Sequence, residues 1–280
     1  MKKTSSFRRS GQTPYRVLPE PRSAACHSGR ALLPAAFVAA SLLATPFLPL
    51  ATPVHATDFQ WNNTETGGGQ WGDAANWTPA GGPPTSADYV TIDNGAAWVN
   101  GVPSVSNYLY VGVASVGELH LAGGGTLTVA GDIYAGGNED FYYSSPTADN
   151  SYGTITVSGA GSALNSGGDI YVGFYGTGTL ALTNGGTATA AYGLYLSVAP
   201  DSSGTATVDG LGSLLKADIL YVGQYGPGNL SLTGGGKATA VGIYIAPISD
   251  SDCIAYSGSS CNGTVLVDSA PNLARPISKK

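Results

Sequence analysis

The chain is poor in the side chains from which enzymes build reactive centres and metal sites. Its 280 residues include three cysteines, three histidines and one methionine. No Cys-x-x-Cys pair and no Cys/His cluster with zinc-ligand spacing is present. We therefore expect no metal ion and no cofactor.

Positive charge is also scarce, and most of it lies near the N-terminus. Seven of the 12 lysine and arginine residues fall within the first 30 positions. Residues 57–280 therefore carry five cations against 17 carboxylates, which is a formal net charge of −12. So acidic a chain cannot neutralise a phosphate backbone or adhere to anionic lipid, and nucleic acid is excluded as an expected partner.

The first 56 residues have the pattern of a signal peptide. Basic side chains precede an apolar run from Ala31 to Leu50, and Val54 and Ala56 place small residues where a signal peptidase requires them. We predict cleavage after Ala56, so that the mature chain begins at Thr57 and is exported across the inner membrane to the periplasm, the outer-membrane surface or the medium. The alternative is an uncleaved anchor, although prolines divide the apolar run into pieces shorter than the roughly 20 residues of a membrane span.

Two cysteines remain in the mature chain. Cys26 belongs to the leader, and Cys253 and Cys261 lie eight positions apart. Export to an oxidising compartment permits a local disulfide between them, and two free thiols are the alternative.

What the chain has in abundance is repetition. A phrase of the type Leu/Ile-Tyr-Val-Gly, with changes at its last two positions, occurs six times. Its tyrosines are Tyr110, Tyr134, Tyr171, Tyr195, Tyr221 and Tyr244. Successive copies start 24, 37, 24, 26 and 23 residues apart, and the long interval contains a polar insertion at residues 138–150. A period near 25 indicates a stack of similar supersecondary units.

The runs between these phrases alternate apolar and polar residues and end at glycine, which predicts strands and turns. Leu180 and Leu182, for example, point to one face, and the residues beside them point to the other. Residues 153–162 match residues 204–213, so the full repeat is about 50 residues long and contains two coils.

We expect an all-β fold, a single-stranded, right-handed parallel β-helix with coils of about 25 residues. Each coil is long enough for three short strands and three turns. The competing arrangement is an up-and-down antiparallel sheet or barrel. That arrangement does not explain why the apolar positions keep their register at one coil length.

Coil stacking has a consequence for the six tyrosines. If Leu220 and Val222 point inward, Tyr221 points outward, and its equivalents occupy the same position in their coils. We expect an exposed ladder whose rings pack at the inter-strand spacing of roughly 4.8 Å. A structural role is favoured over ligand binding, although planar aromatic rows also suit sugar rings.

Residues 57–108 precede the repeats and contain all four tryptophans, Trp61, Trp71, Trp77 and Trp98. We expect this segment to cap the first coil, because an open solenoid end exposes unpaired backbone and core side chains. Carbohydrate binding by the tryptophans is the alternative. The β-helix repeats are then expected over residues 109–268, and an irregular tail over residues 269–280.

Several motifs carry a resemblance to a known class of repeats. They are the tyrosine phrase, the Gly-Thr-Leu-Ala-Leu-Thr-Asn-Gly-Gly run at 178–186, Val-Ser-Gly-Ala-Gly-Ser at 157–162, and the opening segment from Trp71 to Asp88. Together they resemble the passenger repeats of bacterial type V secretion autotransporters and of PEP-CTERM proteins. The resemblance implies a surface scaffold rather than a fixed catalytic site. The sequence has no pattern of a C-terminal membrane barrel or sorting tail, so a separate outer-membrane translocator is an expected partner.

Few side chains are candidates for catalysis. His120 is the sole histidine after residue 56, and on its alternating strand we expect it to face solvent without an orienting partner. The acidic pairs Glu139-Asp140 and Asp250/Asp252 supply too few oxygens for calcium. We therefore predict a protein that is not an enzyme.

Recognition is expected from loops on a rigid scaffold. Phe141, Tyr142 and Tyr143 in the polar insertion, and Tyr256 between the two cysteines, are aromatic residues that a solenoid does not require. We predict an adhesin or structural scaffold whose partner is a glycan or a surface protein. The alternatives are a truncated passenger remnant without activity, or a β-helical enzyme that degrades polysaccharides.

Overall fold

The computed structural model describes residues 56–137, 151–245 and 263–267. In these residues the chain forms short strands, one 3₁₀ helix (Ala74–Asn76) and tight turns, wound into a parallel β-solenoid. The predicted all-β solenoid with coils of about 25 residues is confirmed. Residues 1–55, the insertion at 138–150, Cys253, Cys261 and residues 269–280 lie outside the described residues.

Three sheets form the faces of the solenoid. The first contains β1 (Asp58–Trp61), β4 (Tyr89–Ile92), β7 (Tyr108–Val111), β10 (Ile133–Ala135), β13 (Ile170–Val172), β16 (Gly193–Leu196), β19 (Ile219–Val222) and β22 (Gly242–Ile245), with β3 (Trp77–Thr78) at one edge. The second contains β2 (Gly69–Gln70), β5 (Gly95–Asn100), β8 (Val116–Ala122), β11 (Tyr152–Ser158), β14 (Thr177–Thr183), β17 (Ser203–Asp209), β20 (Gly228–Thr233) and β23 (Gly263–Val267). The third contains β6 (Pro103–Ser106), β9 (Thr126–Val129), β12 (Ala163–Ser166), β15 (Thr187–Ala190), β18 (Leu214–Lys216) and β21 (Lys237–Thr239).

The chain visits the first, second and third sheet in turn, and one such circuit is called a rung here. Six complete rungs run from β4 to β21, with an incomplete rung at each end of the described residues. Every described strand pair is parallel except β1 with β3. The antiparallel alternative is therefore wrong.

In-register pairing aligns equivalent side chains into columns. On the second sheet, Leu119, Ile155, Leu180 and Ala206 oppose one another across neighbouring strands, and all four are fully buried. The residues on either side of them point outward, as the alternating pattern of the sequence predicts. Burial of each large apolar side chain in these columns stabilises the fold by about 1.5–3 kcal/mol.

The chain adopts a left-handed backbone conformation, which favours glycine, where the first sheet turns into the second. The last residue of the tyrosine phrase has a positive φ, +79° at Gly136 and +76° at Gly173. At the fourth phrase Ser197 adopts φ 64°, and its buried hydroxyl donates to the Ser202 carbonyl at 2.9 Å. Five residues beyond Gly173, a Cβ on Gly178 would overlap the backbone carbonyl of Ala135 in the preceding rung.

Two kinds of turn alternate between the second and third sheets, which explains the 50-residue repeat. Turns of three residues, such as 123–125 and 184–186, are followed one rung later by four-residue turns of the form Gly-x-Gly-Ser. In each longer turn the buried serine accepts a hydrogen bond from the turn beneath it: Ser162 from the Gly124 amide at 3.1 Å, and Ser213 from the Gly185 amide at 3.0 Å.

The N-terminal end of the solenoid is covered by aromatic side chains. Trp77 packs edge-to-face against Phe59, Trp61 and Trp71, with ring centroids 6.3, 4.9 and 4.9 Å away, and all four are buried. Strand β3 closes the edge of the first sheet by pairing antiparallel with β1. The rungs begin earlier than the expected boundary at residue 109, because β4, β5 and β6 already form a complete rung.

The opposite end of the described solenoid is less covered. Ile243 and Ile245 are 54% and 47% exposed, whereas their equivalents in the preceding rung, Leu220 and Val222, are buried. Strand β23 adds one further parallel strand to the second sheet by pairing with β20.

Gly178, near the start of β14, provides a test of how the backbone packs at the turn from the first sheet to the second. We expect Gly178→Ala to lower the free energy of unfolding by at least about 2 kcal/mol, because the added Cβ would overlap the Gly173 nitrogen in its own rung and the Ala135 carbonyl oxygen in the preceding rung. Gly72→Ala is the matched control, since a Cβ there meets no atom within 4 Å, and we expect a change within about 0.5 kcal/mol. Urea unfolding followed by circular dichroism measures both, and equal losses would contradict the stacking geometry.

Candidate functional site

A continuous column of tyrosines runs along the outer side of the first sheet. Tyr110, Tyr134, Tyr171, Tyr195, Tyr221 and Tyr244 are direct partners in the strand register. Their ring centroids are 5.2, 4.9, 5.1, 4.9 and 4.8 Å apart in that order, and the planes of neighbouring rings differ by 8–23°. This set of stacked rings is called the tyrosine ladder.

The ladder is less exposed than the sequence suggests. Tyr134 is 1% exposed, four other members are half-buried, and only Tyr244, in the last rung, reaches 47%. Because each ring lies flat against the next, the ring faces are covered by neighbours and the ring edges point to solvent. Sugar binding by ring stacking needs a free face, so the interior of the ladder does not offer a sugar platform.

The stack extends beyond the six repeats to two residues that the phrase does not include. Tyr89 stacks on Tyr108 at 5.3 Å, and Tyr108 is 6.5 Å from Tyr110 in a nearly parallel orientation. Tyr89 and Tyr108 are paired in the strand register, and each lies two residues before the position that the ladder tyrosines occupy in their strands. The sequence signal was present, since Tyr89-Val-Thr-Ile92 has the same alternation as Tyr108-Leu-Tyr-Val111.

In the next two rungs, the position that Tyr89 and Tyr108 occupy is taken by Asp132 and Asp169. Asp132 Oδ1 accepts the backbone N–H of Asp169 at 2.7 Å, and Asp169 Oδ1 accepts that of Gly193 at 2.6 Å. The hydroxyl of Tyr171 donates to Asp169 Oδ2 at 3.2 Å. Burial, assisted by the Asp169 and Asp132 charges, raises the pKa of Tyr171 well above its ordinary value, so its hydroxyl stays protonated.

An aromatic cluster adjoins the ladder at the corner between the first and second sheets. Phe174 packs edge-on against Tyr171 at 5.2 Å and against Tyr134 at 5.6 Å, and Tyr175 lies 5.0 Å from Phe174. Phe174 and Tyr175 occupy the turn from β13 to β14. Sequence reasoning missed them because a turn residue outside the repeated phrase carries no periodic signal.

The predicted recognition residues Phe141, Tyr142, Tyr143 and Tyr256 lie outside the described residues. The strands that flank them are described. Residues 138–150 lie between β10 and β11, and residues 246–262 between β22 and β23, so both segments connect the first sheet to the second. Four rungs separate the two connections, which corresponds to about 19 Å along the solenoid axis.

His120 has more partners than the sequence indicated. Its Nε2 lies 3.1 Å from Glu118 Oε2, and its ring stacks on Trp98 with centroids 4.3 Å apart. His120 does lie on the outward face of its strand, but the expectation that it has no partner is wrong. Trp98 in turn donates its indole N–H to the Gly67 carbonyl at 2.9 Å, which ties the cap to the second sheet.

A groove lies beside this pair, between the cap and the first rungs. Its volume is about 440 Å³, and its lining includes Glu65, Asn94 and Glu118. Glu118 hydrogen-bonds to His120, and no hydroxyl or thiol nucleophile of the described residues bonds to the histidine. Among the described residues no three histidine, cysteine, aspartate or glutamate side chains are grouped to hold a metal ion.

No known protein family, no curated protein and no solved structure matches this chain. In the part of the chain that the structure describes, no helix has the length and apolar character needed to cross a membrane.

Two tyrosines three residues apart test what the ladder does. Tyr195 stacks on the rings of Tyr171 and Tyr221, whereas Tyr192 lies in the turn between β15 and β16 and is 65% exposed. We expect Tyr195→Ala to lower the free energy of unfolding by about 2 kcal/mol, and Tyr192→Ala by less than about 0.5 kcal/mol. Thermal or urea unfolding measures both, and a Tyr195→Ala protein as stable as the Tyr192→Ala protein would show that ring stacking contributes little.

Proposed function

We propose that this chain is an exported, non-catalytic β-solenoid that acts as a surface adhesin or scaffold, similar to an autotransporter passenger. The observation that carries the proposal is the position of the two long connections. Both leave the same corner of a regular solenoid, where loops can vary without disturbing the stacked core.

The solenoid supplies a rigid support for such loops. Its core consists of aligned apolar columns, and a second column of stacked tyrosine rings runs along the outside. A rod of this construction holds two loops at a constant separation of about 19 Å. Two weak contacts at a constant separation reinforce each other on a surface that presents repeated ligands.

The loops, rather than the ladder, are the proposed contact residues. The ladder rings from Tyr134 to Tyr221 are covered on both faces by their neighbours, whereas Phe141, Tyr142, Tyr143 and Tyr256 belong to the long connections. The aromatic cluster of Phe174 and Tyr175 lies at the same corner and would extend the contact surface. A glycan or a surface protein is the proposed partner, because aromatic side chains with polar neighbours suit both.

Export and display complete the proposal. The signal-peptide pattern of residues 1–56 supports passage across the inner membrane to the periplasm or beyond. A passenger of this kind would reach the outside through an outer-membrane translocator encoded separately or beyond the printed sequence. The competing proposal, a passenger remnant without activity, shares the fold and differs in having no ligand.

Ligand binding separates the two proposals. We expect the mature protein to bind a subset of probes on a printed glycan array or on immobilised collagen and fibronectin. The triple variant Phe141→Ala/Tyr142→Ala/Tyr143→Ala should weaken that binding at least tenfold, because aromatic anchors dominate small contact surfaces.

The control variant is Tyr192→Ala, which removes an exposed tyrosine from a different corner. It should bind like the unaltered protein. If the triple variant keeps full affinity for every probe bound by the parent, the loops are not the contact surface. If the parent binds no probe on either support, the remnant proposal is favoured.

A further inference from the structure

Asp88 is a buried carboxylate at the junction between the cap and the first complete rung. It is 3% exposed and accepts three hydrogen bonds. Its Oδ2 accepts from the backbone N–H and the hydroxyl of Thr85 at 2.8 and 2.6 Å, and its Oδ1 accepts from the backbone N–H of Thr57 at 2.9 Å. All three donors are neutral, and no lysine or arginine among the described residues forms an ion pair with it.

The backbone of Thr57 is held in place from the other side as well. Its carbonyl accepts the N–H of Tyr89 at 2.9 Å, and the next residue, Asp58, begins the parallel pairing with β4. Thr57 is half-buried, whereas Ala56 is exposed. The nitrogen of Thr57 is thus located by the first rung, and the peptide bond that precedes it lies at the surface.

Asp88 is ionised in this environment. Burial alone would raise the pKa of its carboxyl, but the hydrogen bonds from Thr85 and Thr57 outweigh burial and lower it below the ordinary value. Replacing a neutral N–H donor by an ammonium group would add the Coulomb attraction between two opposite charges to the hydrogen bond that the carboxylate already accepts.

We propose that cleavage between Ala56 and Thr57 converts the Thr57 nitrogen into an α-ammonium group that forms an ion pair with Asp88. This inference rests on the proposed export of the chain. Hydrolysis consumes one water molecule, breaks the Ala56–Thr57 peptide bond, and leaves a carboxylate on Ala56 and an ammonium group on Thr57. The new cation arises 2.9 Å from a carboxylate oxygen that is already in place.

The geometry makes the ion pair specific for one cleavage position. An additional N-terminal residue would restore a neutral amide at Thr57 and move the positive charge up to about 3.8 Å away, toward solvent. Removal of Thr57 would delete both the donor to Asp88 and the acceptor for Tyr89. A chain that begins at Thr57 should therefore have a more stable cap than a chain that begins one residue earlier or one residue later.

The pH dependence of the ion pair follows from two opposite shifts. Pairing raises the pKa of the α-ammonium above its unfolded value of about 7.7–8.0, so its stabilisation is complete below that range and is lost as pH rises through the higher folded value. The pKa of Asp88 is lowered, so its contribution is complete above about pH 3.9 and is lost as pH falls through the lower folded value. The advantage of the Thr57 end should thus be largest between about pH 5 and 7.5.

The test compares chains 57–280 and 56–280, each released from a fusion that leaves no extra residue. At pH 6.5 we expect the chain that begins at Thr57 to have an unfolding equilibrium constant about tenfold smaller than the chain that begins at Ala56. The ratio of the two equilibrium constants should approach one above about pH 10. It should also be close to one at pH 6.5 when both chains carry Asp88→Asn.

Nα-acetylated 57–280 keeps Asp88 and loses only the charge, so it provides the comparison if Asp88→Asn fails to fold. It should resemble the chain that begins at Ala56. Equal stability of the charged and acetylated 57–280 chains at pH 6.5 would overturn the ion pair, as would a difference that persists unchanged at pH 10.

A separate measurement distinguishes failure of the export proposal. The full chain is expressed in a Gram-negative host, and mass spectrometry of the periplasmic product determines its N-terminal residue. Thr57 is the expected residue. An uncleaved or differently cleaved product would contradict the processing step, whereas a Thr57 end without a charge-dependent gain in stability would contradict the ion pair and leave export intact.

Discussion

The close vertical packing of one rung on the next is the constraint on which the rest of this structure depends. Strands stacked at about 4.8 Å leave no room for a side chain where the chain passes over the backbone beneath it. Gly178 over Ala135, and the glycines Gly136 and Gly173 where a Cβ would meet the backbone of the next rung, are direct results of that spacing. The same spacing brings flat aromatic rings into contact, so the buried core and the tyrosine ladder have a single geometric origin.

Much of this architecture could be predicted from the sequence, because a solenoid repeats its physical requirements once per rung. The phrase containing Tyr171 predicted a buried residue on each side of an outward ring, and the structure places Ile170 and Val172 in the core. The interval between phrases predicted the parallel register. Where a feature occurs once, as with the stacking of Trp98 on His120, no repetition marked it and the prediction failed.

The degree of exposure was also beyond sequence reasoning. Alternation shows which side of a strand a residue occupies but not what covers that side, so an outward tyrosine such as Tyr134 was expected at the surface and is buried. The start of the solenoid was placed too late for a related reason. Tyr89-Val-Thr-Ile92 has threonine where the later phrases have tyrosine, yet its backbone pairs with β7 like any other rung.

The alternation of short turns with Gly-x-Gly-Ser turns limits how such a protein can change length during evolution. The hydroxyl of each turn serine accepts a hydrogen bond from a backbone N–H of the three-residue turn below it. Ser162 accepts from Gly124, and Ser213 accepts from Gly185. A duplication of one rung would bring two turns of the same kind together and remove the amide-to-serine hydrogen bond between them. A gene encoding this solenoid therefore grows or shrinks most easily by pairs of rungs, in steps of about 50 codons.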